Sequence, residues 1–248
     1  MPSADFMILL AVLLPPTALQ TLGEFVEERT INTPYGEVGP LALRMPAAGP
    51  AVWIAPYTGL PDRTDPRATI FAARELGVRR VLGWELGVGV NPLLEPGALA
   101  IAGDYIDWTR HQPSTFVERR RTDFDADALA LRPAFCPQMT AAVAEVAPGA
   151  AGCVYLAADG PRRETGAEAR LYRQWGVDVL GQNLVPEVAL AQELGLCFAG
   201  LITIGAVAAD RPQPPHRGEI RASLHATLDV LPACLRLLAG PTMCDCAA

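Results

Sequence analysis

The chain has 248 residues, of which 50% are hydrophobic and 19% are charged, and its formal net charge is −7. This apolar content excludes an intrinsically disordered protein, and the negative charge argues against a broad electrostatic interaction with nucleic acid. All 20 basic residues are arginine, and the absence of lysine excludes Schiff-base chemistry and a Walker-A phosphate loop.

The first element is an unbroken apolar run from Phe6 to Leu14. A signal peptide would also contain such a run, but here Asp5 precedes it and no positive charge does. A strand of a parallel sheet is apolar on both faces, and it explains the same pattern. No stretch reaches the roughly 20 apolar residues needed to span a bilayer. These features predict a cytoplasmic protein without a membrane partner.

Apolar runs of strand length alternate along the chain with segments of helical periodicity. The further strands are predicted at 41–44, 51–55, 80–84, 98–102, 152–157, 177–180 and 197–204. The helices are predicted at 69–76, 137–146, 165–175, 186–194 and 221–239, and several of them end at a glycine. This alternation predicts an α/β sheet in a single domain, residues 1–240, followed by a flexible tail at 241–248.

The cysteines do not predict a metal site. In a cytoplasmic protein they are expected to be reduced thiols. Cys136, Cys153 and Cys197 stand singly in apolar surroundings, which is typical of core residues. Cys244 and Cys246 form a C-x-C pair, but a metal site usually needs four ligands. A frayed tail is therefore the preferred interpretation of this pair.

Several local motifs, taken in order, resemble the methylthioadenosine phosphorylase branch of the purine nucleoside phosphorylase family. The most specific is the block Trp175-Gly176-Val177-Asp178-Val179, followed by Val185-Pro186-Glu187-Val188-Ala189-Leu190-Ala191. The other matching strings are Thr33-Pro34-Tyr35-Gly36, Glu95-Pro96-Gly97, Asp104 to Thr109, Phe135-Cys136-Pro137, Asp159-Gly160-Pro161-Arg162 and Ala167-Glu168. The similarity covers residues from about 6 to 240.

The resemblance implies a central mixed β-sheet flanked by helices, a homotrimer, and a small nucleoside-like ligand. It implies neither a cofactor nor a metal. The family's reaction attacks C1′ of a purine nucleoside with phosphate and releases the base and a sugar 1-phosphate. Such a reaction needs donors that hold phosphate, groups that hold the sugar, and an acid for the departing purine.

The family's phosphate-binding elements are altered in this sequence. The glycine-rich first loop aligns with 15–19, where only Thr17 keeps a hydroxyl and two prolines remove N–H donors. The Arg-His-Gly element aligns with 56–58, where Tyr57 replaces the histidine and Arg63 or Arg67 could substitute for the lost cation. The third element aligns with 84–89, and a carboxylate at Glu85 would repel phosphate.

The sugar- and base-binding elements are altered as well. Gln182 and Asn183 keep hydrogen-bonding groups for the sugar, although the family's hydroxyl pair is lost. Arg163 and Glu164 replace the aromatic that would stack on the purine, and Ala206 and Ala208 replace two aspartates at the purine edge. The sequence-based candidates are thus Glu85 and Asn183 as catalytic residues. The candidates for substrate binding are Thr17, Tyr57, Trp84, Leu86, Arg163, Glu164, Gln182, Ala206 and Ala208.

Three hypotheses follow from these changes. The preferred one is an enzyme with hydrolase or lyase/cyclase chemistry in the ancestral pocket, with Glu85 as a base of raised pKa. The alternatives are a methylthioadenosine or purine nucleoside phosphorylase with an unorthodox phosphate site, and a non-catalytic paralogue that binds a ligand.

Overall fold

The computed structural model describes residues 4–56, 65–117, 132–213, 217–240, 244 and 246. Within these residues a mixed sheet of nine strands has the order β2-β3-β4-β1-β5-β8-β7-β6-β9, and β5 also pairs with β9. The strands are β1 (Phe6–Ala11), β2 (Glu24–Thr33), β3 (Gly36–Met45), β4 (Val52–Pro56), β5 (Arg80–Gly89), β6 (Leu99–Trp108), β7 (Ala151–Ala158), β8 (Val179–Gly181) and β9 (Cys197–Val207). The predicted α/β fold with a central mixed sheet is confirmed.

Helices cover both faces of this sheet. In the part of the chain that the structure describes, they are a 3-10 helix (Pro16–Leu22) and the α-helices α1 (Pro66–Glu75), α2 (Pro137–Val146), α3 (Gly166–Gln174), α4 (Glu187–Glu193) and α5 (Arg217–Leu237). Helices α1 and α4 contribute to one hydrophobic cluster, whereas α2 and α5 contribute to the cluster on the opposite face. Among the helices of the described residues, none combines the length and the apolar character that crossing a bilayer requires.

The position of strand β1 inside the sheet explains why its sequence is apolar throughout. It pairs in parallel with β4 on one side and with β5 on the other. Met7 and Leu9 belong to the cluster on one face, while Phe6, Ile8 and Leu10 belong to the cluster on the other. The side chains of successive residues point to opposite faces of a strand, so both sets must be apolar. The prediction of a buried first strand is confirmed for Phe6–Ala11.

Local signals set the ends of helix α3, which follows a loop of the candidate site. Thr165 is the N-cap residue and forms a reciprocal capping box with Glu168. The helix ends before Gly176, whose φ of 81° lies in the left-handed region that glycine adopts at low cost. The glycine stop predicted from sequence is therefore confirmed, and the capping box at Thr165 fixes the end of the loop that carries Arg163 and Glu164.

Two elements were not predicted from sequence. Strand β2 was missed because most of its side chains are polar and at least partly exposed. The 3-10 helix occupies the stretch aligned with the family's first phosphate loop, and it packs against α5. Helix α5 also begins at Arg217, one turn before the predicted start at 221.

Candidate functional site

A cavity of about 210 Å³ lies where the ends of β5, β7 and β8 meet. Strands β7 and β8 run parallel, so the loops after them emerge at the same edge of the sheet. Six of the residues proposed from sequence line this cavity: Glu85, Leu86, Arg163, Glu164, Gln182 and Asn183. Residues that are distant in the sequence thus form one polar pocket.

Glu85 lies at the floor of the pocket with only 1% of its surface exposed. Its Oε2 accepts hydrogen bonds from the backbone N–H of Gln182 (3.2 Å), the backbone N–H of Asn183 (3.2 Å) and the Asn183 side-chain amide (2.9 Å). A Cβ added to Gly181 would lie 2.4 Å from Oε1, so glycine is needed for this close approach. Glu85 therefore holds the segment that follows β8 in place.

Burial raises the pKa of the Glu85 carboxyl group above its usual value of 4.5, and the hydrogen bonds from Tyr155, Asn183 and Gln182 oppose this shift only in part. The protonated carboxyl group carries no charge. The predicted electrostatic exclusion of phosphate by Glu85 assumed a full negative charge at this position, and the burial of the group weakens that argument.

Glu164 is a second buried carboxylate in the pocket, and its side chain is 2% exposed. Its Oε1 accepts a hydrogen bond from the backbone N–H of Ala209 at 2.8 Å and another from Arg163 at 3.1 Å. Its Oε2 is buried and has no hydrogen-bond partner among the described residues. Arg163 also donates to the carbonyl oxygen of Val207 at 2.9 Å. Both side chains of this loop therefore reach the end of β9.

The remaining candidates from sequence do not line the pocket. Trp84 is fully buried on the other face of β5, and its indole N–H donates to the Thr203 hydroxyl at 3.1 Å. Thr17 is exposed on the 3-10 helix. Ala206 is half-buried on β9, and Ala208 is fully buried just after that strand. These four positions were proposed for substrate binding, and the structure does not bring them to the cavity.

Of the two arginines that could replace the lost phosphate cation, the structure describes only Arg67. Tyr57 and Arg63 lie outside the described residues. Arg67 forms a bidentate ion pair with Asp65, with Nη2 2.7 Å from Oδ2, and its guanidinium stacks on the ring of Tyr35. An arginine that is paired in this way is poorly suited to hold phosphate.

Sequence reasoning missed Asp159, Arg162 and Tyr172, which also line the pocket, and Tyr155, which hydrogen-bonds to Glu85 and Asn183. The Tyr155 hydroxyl is fully buried on β7, and it accepts a hydrogen bond from the backbone N–H of Asn183 at 3.2 Å. Burial and the nearby Glu85 raise its pKa well above the usual value. The sequence signal for Tyr155 was a hydroxyl group inside the otherwise apolar strand β7.

A second and larger cavity, of about 260 Å³, lies between β3 and the start of α1. Its lining includes Tyr35, Glu37 and Asp65, together with apolar side chains. It contains none of the site residues proposed from sequence within its described lining. The smaller pocket is therefore the candidate functional site.

Comparison with known proteins places the chain in a family. Residues 10–236 match the model of the phosphorylase superfamily. A probable S-methyl-5'-thioinosine phosphorylase of Methanopyrus kandleri is 34% identical over 70% of this chain and 69% of its own length. A 6-oxopurine nucleoside phosphorylase of Pyrococcus furiosus is 32% identical, covering 69% of each chain. An S-methyl-5'-thioadenosine phosphorylase of Nitrosopumilus maritimus is 26% identical over 90% of this chain and 89% of its own.

A solved structure shows the same fold. A methylthioadenosine phosphorylase from an antarctic soil metagenomic library superimposes with a TM-score of 0.84 and 22% identity, covering 100% of this chain and 91% of that one. The three relatives described above are all named as phosphorylases. The preference for hydrolase or lyase/cyclase chemistry was therefore wrong. The chain belongs to the phosphorylase superfamily, in the branch that contains the methylthioadenosine phosphorylases.

Proposed function

We propose that this protein is a purine nucleoside phosphorylase that uses the pocket between β5, β7 and β8. In this reaction the bond between C1′ and the purine nitrogen breaks, a bond between C1′ and a phosphate oxygen forms, and the purine leaves with the bonding electrons. The observation that carries the proposal is the convergence of Glu85, Glu164 and Asn183 in one cavity, in a chain whose relatives are named phosphorylases.

Glu164 replaces, in this proposal, the carboxylates that the sequence lacks at 206 and 208. Alanine at these positions cannot hydrogen-bond a purine. The Glu164 carboxyl group reaches the same strand end from the loop before α3, because it accepts the N–H of Ala209 at 2.8 Å. Its Oε2 is buried without a hydrogen-bond partner among the described residues, and in this proposal the side chain turns so that this oxygen meets the purine. A hydrogen bond from this group would stabilise the negative charge that develops on the leaving base.

Asn183 and Gln182 hold the sugar in this proposal, and Glu85 positions them. The Asn183 amide nitrogen donates to Glu85, which orients the Asn183 side-chain oxygen for a ligand. Because the Glu85 carboxyl group is buried and has a raised pKa, its neutral form can lie beside the sugar and the phosphate without charge repulsion. Glu85 is thus a positioning residue rather than the reacting base that we expected from sequence.

Phosphate-dependent release of the base tests the proposal. The protein is incubated with S-methyl-5'-thioadenosine, S-methyl-5'-thioinosine, adenosine and inosine, each with and without inorganic phosphate. We expect the free base from at least one nucleoside, only when phosphate is present. Release that does not depend on phosphate would contradict the proposal. No release from any nucleoside, together with thermal stabilisation by one of them, would indicate a binding protein instead.

We also propose that the protein is a cytoplasmic homotrimer. Trp108 and Trp175 are each 40% exposed, and their rings meet at 5.1 Å, which forms an aromatic patch suited to a protein contact. The burial of β1 inside the sheet supports its role as a strand rather than a targeting segment. A native mass of three chains is expected by light scattering, and a monomer at micromolar concentration would contradict the trimer.

A further inference from the structure

Four cysteines from three distant parts of the chain meet on the side of the sheet covered by α2 and α5. Cys136 is the N-cap residue of α2, Cys197 is the first residue of β9, and Cys244 and Cys246 belong to the C-x-C pair. The Sγ atom of Cys244 lies 3.6 Å from that of Cys136 and 3.3 Å from that of Cys197. All four sulfur atoms lie within 4.8 Å of one another. The sequence-based interpretation considered the C-x-C pair by itself, and the structure places two further thiols beside it.

The spacing of the sulfur atoms fits a tetrahedral site. With Zn–S bonds of about 2.3 Å, the sulfur atoms of a tetrathiolate site are about 3.8 Å apart. The Sγ atom of Cys244 lies at comparable distances from Cys136 (3.6 Å) and Cys197 (3.3 Å), and every pair of the four sulfur atoms lies within 4.8 Å. A disulfide would bring sulfur atoms together in pairs, at about 2 Å. The four thiols are all unpaired in the structure.

The two core ligands are held by the fold. The backbone N–H of Cys136 donates to the carbonyl of Phe198 at 2.8 Å, and that of Cys197 donates to the carbonyl of Arg79 at 2.9 Å. Both residues are buried, whereas Cys244 and Cys246 are half-buried against the same hydrophobic cluster. Backbone hydrogen bonds therefore hold Cys136 and Cys197 in place independently of the C-x-C pair.

The surroundings favour negatively charged sulfur. Cys136 stands at the N-terminus of a helix of 10 residues, where the helix dipole stabilises an anion. Arg132 donates to the carbonyl oxygen of Cys246 at 2.9 Å, which places a cation beside the cluster. Four thiolates around a divalent ion carry a net charge of −2, and both features offset part of it. Sulfur ligands of this kind select Zn²⁺ over hard cations such as Mg²⁺ or Ca²⁺.

We propose that Cys136, Cys197, Cys244 and Cys246 form a structural site for Zn²⁺ that fastens the C-x-C segment to the core. On binding, the four thiols lose four protons and form four Zn–S bonds, with no change of oxidation state. All four positions of the metal are then filled by protein, which is typical of structural rather than catalytic zinc. None of the four cysteines lines the pocket described above. The metal site is therefore independent of the proposed enzymatic function.

Metal analysis of the purified protein tests this site. Wild-type protein is prepared under reducing conditions and loaded with Zn²⁺, and the excess metal is removed. The zinc content per chain is then measured by elemental mass spectrometry. We expect about one zinc per chain, and a fall of at least about tenfold in zinc content in the Cys244→Ser/Cys246→Ser variant. The matched control is Cys234→Ser, which changes a buried cysteine outside the cluster and should retain the metal.

Both tail positions lie at the periphery of the fold, so the double variant should still fold, and its circular dichroism spectrum checks this. Substitution with Co²⁺ gives a second measurement, because a tetrahedral cobalt thiolate absorbs visible light strongly. Reduced wild-type protein that binds no zinc, with six free thiols counted after denaturation, would overturn the proposal. Disulfide bonds among these four cysteines under the same reducing conditions would overturn it too.

Discussion

The Glu164→Gln variant is expected to release the purine base about 100-fold more slowly than wild type, with KM changed far less than kcat. Glutamine has the same shape and can still accept the N–H of Ala209, so the loop before α3 should stay in place. Unlike a carboxylic acid, it cannot supply a proton to the purine edge. The loss should therefore fall on the transition state, in which charge develops on the leaving base.

A matched control for this variant is Glu95→Gln. Glu95 is 57% exposed in its side chain and pairs with Arg211 at the surface, away from the pocket lining. Its replacement should leave kcat within about twofold of wild type, because exposed ion pairs contribute little. Steady-state kinetics with saturating phosphate compares the two variants. If Glu164→Gln behaves like the control, Glu164 does not assist the departure of the base.

The Glu85→Ala variant is expected to lose roughly 3 kcal/mol of unfolding free energy. Alanine would remove the acceptor of the Gln182 backbone N–H and the Asn183 side-chain amide, would leave the Asn183 backbone N–H with Tyr155 alone, and would open a cavity beneath them. The segment after β8 would then be free to move, so activity should fall together with stability. Chemical denaturation measures the loss directly. A loss below about 1 kcal/mol would mean that other groups hold this segment.

Comparing the stability of wild type and Glu85→Gln across a range of pH isolates the effect of the Glu85 charge, because glutamine has nearly the same shape and does not ionise. Burial raises the pKa of Glu85 in the folded protein above its usual value of 4.5, so folding favours the protonated form. The stability that protonated Glu85 contributes is complete below the pKa of Glu85 in the unfolded chain. It is lost as the pH rises through the pKa of Glu85 in the folded protein. Wild type should therefore lose stability relative to Glu85→Gln as the pH rises above 4.5. Parallel stability curves for the two proteins across this range would contradict the assignment.

Much of the fold follows from local patterns in the sequence. The apolar run at the start predicts a strand buried on both faces, and β1 is such a strand because it lies between two parallel neighbours. Gly176 predicts the end of α3 because its positive φ is costly for other residues. Strand β2 escapes prediction because it lies at the edge of the sheet, where little of it is buried and its sequence pattern is weak.

The site was predicted less well, for two physical reasons. Trp84 and Glu85 are neighbours on β5 and face opposite ways. Of these two only Glu85 reaches the cavity, which Leu86 also lines. The second reason is that a side chain from another loop lies where the family's carboxylates are absent from this chain. Glu164 reaches the strand end near Ala208 across 45 residues of sequence, and no local pattern could show this contact.

The cysteine cluster shows the same limit. Cys136 and Cys244 are 108 residues apart in the sequence, and Cys197 and Cys244 are 47 apart. Their spacing matches no short metal-binding motif, so the C-x-C pair was interpreted by itself. The cluster forms only because α2 begins beside the first residue of β9, where the backbone of Cys136 bonds to Phe198.

A crystal structure of the protein with a bound purine nucleoside tests the central claim most directly. The account predicts the purine edge against the Glu164 carboxyl group and the sugar against Asn183, in the cavity of about 210 Å³. A nucleoside bound instead in the cavity between β3 and α1, with the Glu85 pocket empty, would contradict it.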